Sequence, residues 1–213
     1  MTNPYRVMLA DDHAVVRSGL RRLLELDDKV LVVAEASTGE QAYQMYGECE
    51  PDVVVMDMSM PGMGGLEALR RIRSRYPAAK IVVFSMHENA AFASQALSAG
   101  AKGYIAKSGL AGDLLNAVHE AMVGRTWISP SIAQKIALQS LTGEDDPMRK
   151  LSGREFEVFR LLAAGKSLEI ISQTLNISQK TVANHQTLLK QKLGISGPVE
   201  LVRLAIRYGV IEG

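Results

Sequence analysis

The stretch VVVMDMSMPGMGGLE, residues 53–67, decides the fold. It opens with a short, β-branched apolar run with no polar alternation, the pattern of a strand buried on both faces of a parallel sheet. An acid, Asp57, closes the run. Pro61 then forces a turn, and the glycines of PGMGG permit the backbone conformations that lead into the next helix. Working outward, similar runs recur as RVMLA (6–10), LVVAEA (31–36), KIVVFS (80–85) and KGYIAK (102–107), separated by amphipathic segments such as VVRSGLRRLLEL (15–26) and AAFASQALSAG (90–100). Residues 1–123 are therefore expected to form an α/β domain with a five-stranded parallel sheet, joined by right-handed crossovers and covered by helices on both faces. In such a sheet the functional crevice lies beyond the carboxyl ends of the strands. The polar residues at those ends are Asp11, Asp12, Asp57, Ser85 and Lys107.

The chain has 213 residues, 47% hydrophobic and 22% charged, enough for two domains of unequal size. No apolar run approaches the roughly 20 residues that cross a bilayer, and the amino terminus lacks a signal-peptide pattern, so the expectation is a cytoplasmic protein with no membrane partner. The single cysteine, Cys49, leaves no internal disulfide and reads as a structural or surface residue. Net charge is +1, but unevenly spread: Lys and Arg number 12 against 15 acids in 1–123, 2 against 3 in 124–147, and 10 against 5 in 148–213. The basic tail is the part suited to a polyanion. Residues 124–147 read as a linker with one helix, SIAQKIALQSL (131–141), followed by the acidic boundary TGEDDP (142–147). From 148 the pattern is all helical. Ser152 and Glu155 form a capping box, EFEVFRLLAA carries the helical period, Gly165 ends the helix, and three more helices are expected near 167–175, 178–192 and 197–211.

A flavodoxin-like strand order makes strands one and three neighbours, so Asp11, Asp12 and Asp57 converge. Three close carboxylates repel unless a cation lies among them, and hard oxygen ligands suit magnesium. Lys107 can set an ammonium beside them, and Ser85 can hydrogen-bond an incoming oxygen. The set suits phosphoryl acceptance by Asp57: a carboxylate attacking phosphorus needs the surrounding negative charge neutralised. The alternative reading, solvated loop ends, accounts for any one of these acids but not for five polar residues at the ends of four strands. No phosphate-binding GxGxxG or GxxxxGK[ST] string occurs in the required context.

The segments LADDH (9–13), VVMDMSMPGMGGLE (54–67), IVVFSM (81–86) and GYIAKS (103–108) resemble the receiver domain of bacterial response regulators. The resemblance implies that Asp57 takes a phosphoryl group from a sensor histidine kinase, and that Asp11, Asp12, Asp57 and the backbone carbonyl of Ser59 bind Mg2+. It also implies that Ser85 moves toward the phosphoryl group while Tyr104 turns inward behind it. By residue type alone, Tyr104 equally fits a half-buried aromatic at a strand end.

In KSLEIISQTLNISQKTVANHQTLLKQKLG (166–194) two helices flank a turn at Leu175 to Ser178, the helix-turn-helix geometry whose second helix enters the DNA major groove. At 100° per residue, Lys180, Asn184, Thr187 and Gln191 share one sector, with Val182, Leu189 and Leu193 opposite. Any amphipathic surface helix shows the same division; the basic tail and the two-helix turn favour DNA. Lys166, Lys180, Lys190 and Lys192 are candidate phosphate partners, and His185, nearer the apolar sector, reads as a hydrogen-bonded structural histidine or one phosphate contact. The segments LSGREFEVFRLLAAGKS (151–167) and ISQKTVANHQTLLKQKLGI (177–195) resemble the LuxR-type helix-turn-helix, and the pairing matches the NarL/FixJ class. That resemblance implies base-facing roles for Ala183, Asn184 and Thr187, and a last helix whose Val199, Val202, Ile206 and Val210 either pair two copies or pack internally. Leu168, Ala183, Gly197 and Pro198 depart from the family's usual residues, which bears on the DNA sequence read.

The sequence thus describes a transcriptional regulator, not an enzyme, binding double-stranded DNA as a homodimer when phosphorylated. A metal-dependent phosphohydrolase is the competing enzyme reading; against it, no cap domain is present and Ser59 stands where a second general acid is needed. A phosphorylation-gated protein-interaction module is the third, and it predicts salt-independent behaviour toward duplex DNA.

Overall fold

The computed structural model describes residues 3–109, 111–141 and 147–211. Strands β1 (Tyr5–Ala10), β2 (Val30–Ala36), β3 (Val53–Met56), β4 (Ile81–Ser85), β5 (Gly103–Ala106) and β6 (Trp127–Ile128) form one parallel sheet in the order β2-β1-β3-β4-β5-β6. The expected five strands are present, in the order that places β1 beside β3. The sixth is an addition: β6 falls in the stretch read as linker and lies against β5, Gly103 opposite Trp127. Two residues carry no period to read, and the pairing depends on Gly103, where a Cβ would stand 3.0 Å from the Trp127 carbonyl oxygen.

Helices α1 (Ala14–Leu24), α2 (Gly39–Cys49), α3 (Gly65–Arg75), α4 (Ala90–Ser98) and α5 (Ala111–Met122) cover the sheet. Alternate strand residues serve the two faces, as the pleat requires. Val7, Leu9, Val53 and Val55 pack with Leu20 and Leu24 of α1 and Val118 of α5. Met8, Val54, Met56 and Ile81 pack with Ala42 of α2, Leu69 and Ile72 of α3 and Phe92 of α4. Each large apolar side chain removed from water in this way contributes roughly 1.5–3 kcal/mol.

Helix α6 (Pro130–Leu141) packs on α4 through buried Ile132, so residues 124–141 continue the α/β body instead of hanging free of it. The acidic boundary at 142–146 lies outside the described residues. A 3-10 turn (Pro147–Lys150) leads into α7 (Gly153–Ala163), α8 (Leu168–Leu175), α9 (Gln179–Leu193) and α10 (Pro198–Arg207). The Ser152–Glu155 capping box is formed, and Gly165 takes φ +73° after α7. Asn176 caps α8 in the left-handed region, and Ser178 opens α9 by accepting a bond from Thr181 N. The last helix is shorter than expected: it stops at Arg207, and Gly209 at φ +64° turns the chain so that Val210 is buried. The core around α3 and α4 continues into the helical domain through Met148, Leu151, Phe156 and Phe159.

Candidate functional site

The sheet's own hydrogen bonds carry the functional residues into place. Asp11 N donates to Ala36 O, Asp57 N to Ala10 O and Lys107 N to Ser85 O, so the ladder runs one residue past β1, β3 and β5 and fixes the backbone of all three. Gly65 then lets the loop after β3 fold back, since a Cβ there would stand 1.8 Å from the carbonyl oxygen of Asp57.

Lys107 Nζ donates to Asp11 Oδ2 at 2.5 Å and to Asp57 Oδ2 at 2.9 Å. Asp11 and Asp57 are 1% and 3% exposed, and solvent reaches the group through the Asp12 side chain, which is 27% exposed. Ligand atoms of Asp11, Asp12, His13 and Asp57 all lie within 4.8 Å of one another. Burial raises the Asp57 pKa above its ordinary value, with Asp11 adding to the rise, and the bond from Lys107 only partly counters this. Burial also opposes the charge on Lys107, but its bonds to Asp11 and Asp57 outweigh that and hold its pKa up. One ammonium therefore does not satisfy the cluster. Among the described residues Asp57 Oδ1 is buried without a hydrogen-bond partner, and so is Asp12 Oδ1, which lies 2.9 Å from His13 Nδ1. Orphaned carboxylate oxygens side by side are the donor set a hard divalent cation takes, so these residues fit magnesium.

Ser85 ends β4 fully buried, its hydroxyl accepting from His87 N at 3.2 Å. Tyr104, expected to turn inward only on phosphorylation, is already inside: its side chain is buried and its hydroxyl donates to His87 O at 2.7 Å. Its position on β5 faces the α4 side of the sheet, where the core encloses the ring, which also removes the half-buried reading.

Three residues bordering this site escaped the sequence reading. His13 extends the acidic cluster. His87 stacks on Phe92 with ring centroids 3.8 Å apart and shares a 2.9 Å hydrogen bond with the Ser59 hydroxyl; burial drives its imidazole down to about 4, so it is neutral. Arg160, from α7, lines a cleft with Asp12 and Ser59. The first two sit within two residues of positions already singled out, which was the available signal. The third comes from the other end of the chain and left none.

On α9, Lys180, Asn184, Thr187 and Gln191 are exposed together, while Val182 and Leu189 are fully buried. Lys166 is exposed; Ala183 and Lys190 are half-buried. His185 is expected as a hydrogen-bonded structural histidine or one phosphate contact; its Nδ1 is buried without a partner among the described residues, which goes against the first, and burial lowers its pKa. On α10, Val199 and Ile206 are 62% and 44% exposed, whereas Val210, beyond the end of that helix, packs internally.

Residues 7–119 match the response regulator receiver domain family, and residues 149–205 match the family of bacterial regulatory proteins of the luxR type. The chain is 39% identical to the response regulator UvrY of Escherichia coli strain K12 over 206 residues, covering 96% of this chain and 94% of that protein. It is 40% identical to the transcriptional activator protein ExaE of Pseudomonas putida over 209 residues, 97% of this chain and 98% of the relative. Among solved structures, RcsB from Salmonella enterica serovar Typhimurium, bound to promoter rprA in the presence of phosphomimetic BeF3-, is 30% identical with a TM-score of 0.69, covering 95% of this chain and 98% of that one. A LuxR-family two-component response regulator from Aurantimonas sp. SI85-9A1 is 47% identical with a TM-score of 0.64, over 65% of this chain and 99% of that chain.

Proposed function

This chain belongs to the response regulators that join a receiver domain to a LuxR-type DNA-binding domain, and from that premise we propose that Asp57 is its phosphoacceptor and α9 its DNA-reading helix. The observation that carries the reading is the shared Lys107 ammonium between Asp11 and Asp57, beside an Asp57 oxygen left without a hydrogen-bond partner among the described residues. A donor phosphohistidine places phosphorus in line with that free carboxylate oxygen. The oxygen–phosphorus bond forms as the phosphorus–nitrogen bond breaks, and the imidazole leaves with a proton. Lys107 stays beside the carboxylate and offers its ammonium to the transferred oxygens, and the Ser85 hydroxyl at the neighbouring strand end donates to one of them. Magnesium, held by Asp11, Asp12, Asp57 and the Ser59 carbonyl, supplies the remaining neutralisation of charge when bound. The protein thereby acts as a signal carrier and not as a turnover catalyst.

The product is a mixed anhydride whose added charge biases the Ser85–His87–Tyr104 arrangement. For the output, the exposed polar face of α9 presents donors and acceptors of the kind that read base edges, with Lys166, Lys180, Lys190 and a single contact from His185 on phosphates and Ala183, Asn184 and Thr187 along the groove. The exposed Val199 and Ile206 support pairing of two copies on half-sites. A cytoplasmic location and a sensor histidine kinase as donor follow from the same reading; among the described residues no helix is long and apolar enough to cross a membrane.

The test is direct. Wild type and Asp57→Asn are incubated with acetyl phosphate and magnesium, and intact mass and binding to genomic DNA fragments are measured. The reading requires one acid-labile phosphoryl group on wild type and none on the variant. Labelling of both proteins, or of neither, overturns it.

A further inference from the structure

The helical domain is seated on the rim of the acidic crevice, and the contact is built, not grazing. Arg154 of α7 donates to the carbonyl of Gly62 in the loop after β3. Arg70 of α3 donates to Leu151 O at 3.2 Å, and Gln95 of α4, 1% exposed, donates to Met148 O. Phe156 of α7 meets Phe92 of α4 edge to face, ring centroids 4.8 Å apart, and Phe92 in turn stacks on His87. What this seating covers is the entrance to the site. Glu157 and Arg160 of α7, and Thr174 and Leu175 of α8, line a cleft of about 180 Å³ together with Asp12 and Ser59. What it leaves open is the polar face of α9, where Lys180, Asn184 and Thr187 are exposed. The docked domain therefore obstructs the phosphoacceptor, not the residues offered to DNA.

We propose that α7 gates the phosphoacceptor by the size of the donor: while the helical domain is docked, a small acyl phosphate enters the cleft, but a protein carrying phosphohistidine is excluded until the domain swings away. This rests on Asp57 being the acceptor. A protein donor must lay a surface on the order of 500 Å² against the rim to deliver its imidazole, and that rim is occupied. Acetyl phosphate needs only the cleft: its phosphorus–oxygen bond breaks as Asp57 bonds to phosphorus, and acetate departs. Loosening the dock therefore eases transfer from a large donor.

The full chain is compared with Arg70→Ala/Arg154→Ala, which removes two of the cross-domain bonds. Each is phosphorylated with acetyl phosphate and, separately, with the autophosphorylated cytoplasmic portions of a panel of sensor histidine kinases; thermal melting checks that the variant is folded. For the double variant, the ratio of the best kinase rate to the acetyl phosphate rate should rise about tenfold or more over wild type. An unchanged ratio in a folded double variant, including one that no kinase labels while acetyl phosphate does, overturns the gate. Failure of acetyl phosphate to label any of the proteins defeats the Asp57 reading instead, so the two are told apart.

Discussion

Replacing Asp57 by Asn should raise the stability of the metal-free protein, although the residue is the centre of the site. At an effective dielectric constant of about 20, unit charges 2.9 Å apart attract by about 5.7 kcal/mol and charges 4.8 Å apart repel by about 3.5 kcal/mol. The first is the Lys107–Asp57 separation, and the second is the distance within which the ligand atoms of Asp11, Asp12 and Asp57 all lie. Two carboxylate neighbours together thus repel Asp57 by about 7 kcal/mol or more, against one attraction of about 5.7 kcal/mol. Burial of Asp57 to 3% exposure adds to the imbalance. The sign agrees with its raised pKa: a carboxyl that holds its proton more tightly when folded costs stability once pH rises above its ordinary value of 3.8. Asn keeps the shape and drops the charge, for an expected gain of about 1–3 kcal/mol, or a midpoint about 2–10 °C higher in chelator at neutral pH. The chain has one tryptophan, Trp127 on β6, so its fluorescence reports the sheet domain without confusion from the helical one. Magnesium should then stabilise wild type more than the variant, because binding to the folded state alone adds stability with ligand concentration. An Asn variant less stable than wild type in chelator, or a wild type indifferent to magnesium, would refute the electrostatic account of the site.

Three other outcomes are expected. Gly65→Ala should cost at least about 2 kcal/mol in urea denaturation and slow acetyl phosphate labelling, because its methyl collides with the Asp57 carbonyl and displaces the acceptor loop. Glu155 is opposed by burial, but its bonds with Lys192 and Ser152 hold its pKa below the ordinary 4.5, so it stabilises the helical domain above that pH and ceases to as pH falls through the lowered value. Glu155→Gln should therefore lose about 1–2 kcal/mol at pH 7, with the gap to wild type closing in acid when melting is followed by circular dichroism. In DNA binding followed by fluorescence anisotropy, Asn184→Ala should cost about 1–3 kcal/mol at one base position, whereas Lys180→Ala should weaken all sequences alike and reduce the slope of log affinity against log salt by about 0.9.

The sequence by itself determined the α/β sheet with its strand order, the capped helices of the second domain, and the set Asp11, Asp12, Asp57, Ser85 and Lys107. Each follows from local rules: an apolar run ends at a polar residue, and parallel strands deliver their ends to one edge. Local rules reach only as far as their period, which is why β6, two residues long, carries no signal, and why the apolar period runs four residues beyond Arg207, where α10 stops. Only the tertiary structure decided that Tyr104 lies inside, that His185 Nδ1 has no partner among the described residues, and that Glu157 and Arg160 line a cleft with Asp12 and Ser59. The last of these depends on two bodies distant in the chain meeting along one face, held by bonds such as Arg154 to Gly62 and Gln95 to Met148. Such contacts have no spacing to read in one dimension, since they are set by shape and charge that exist only once both domains are folded.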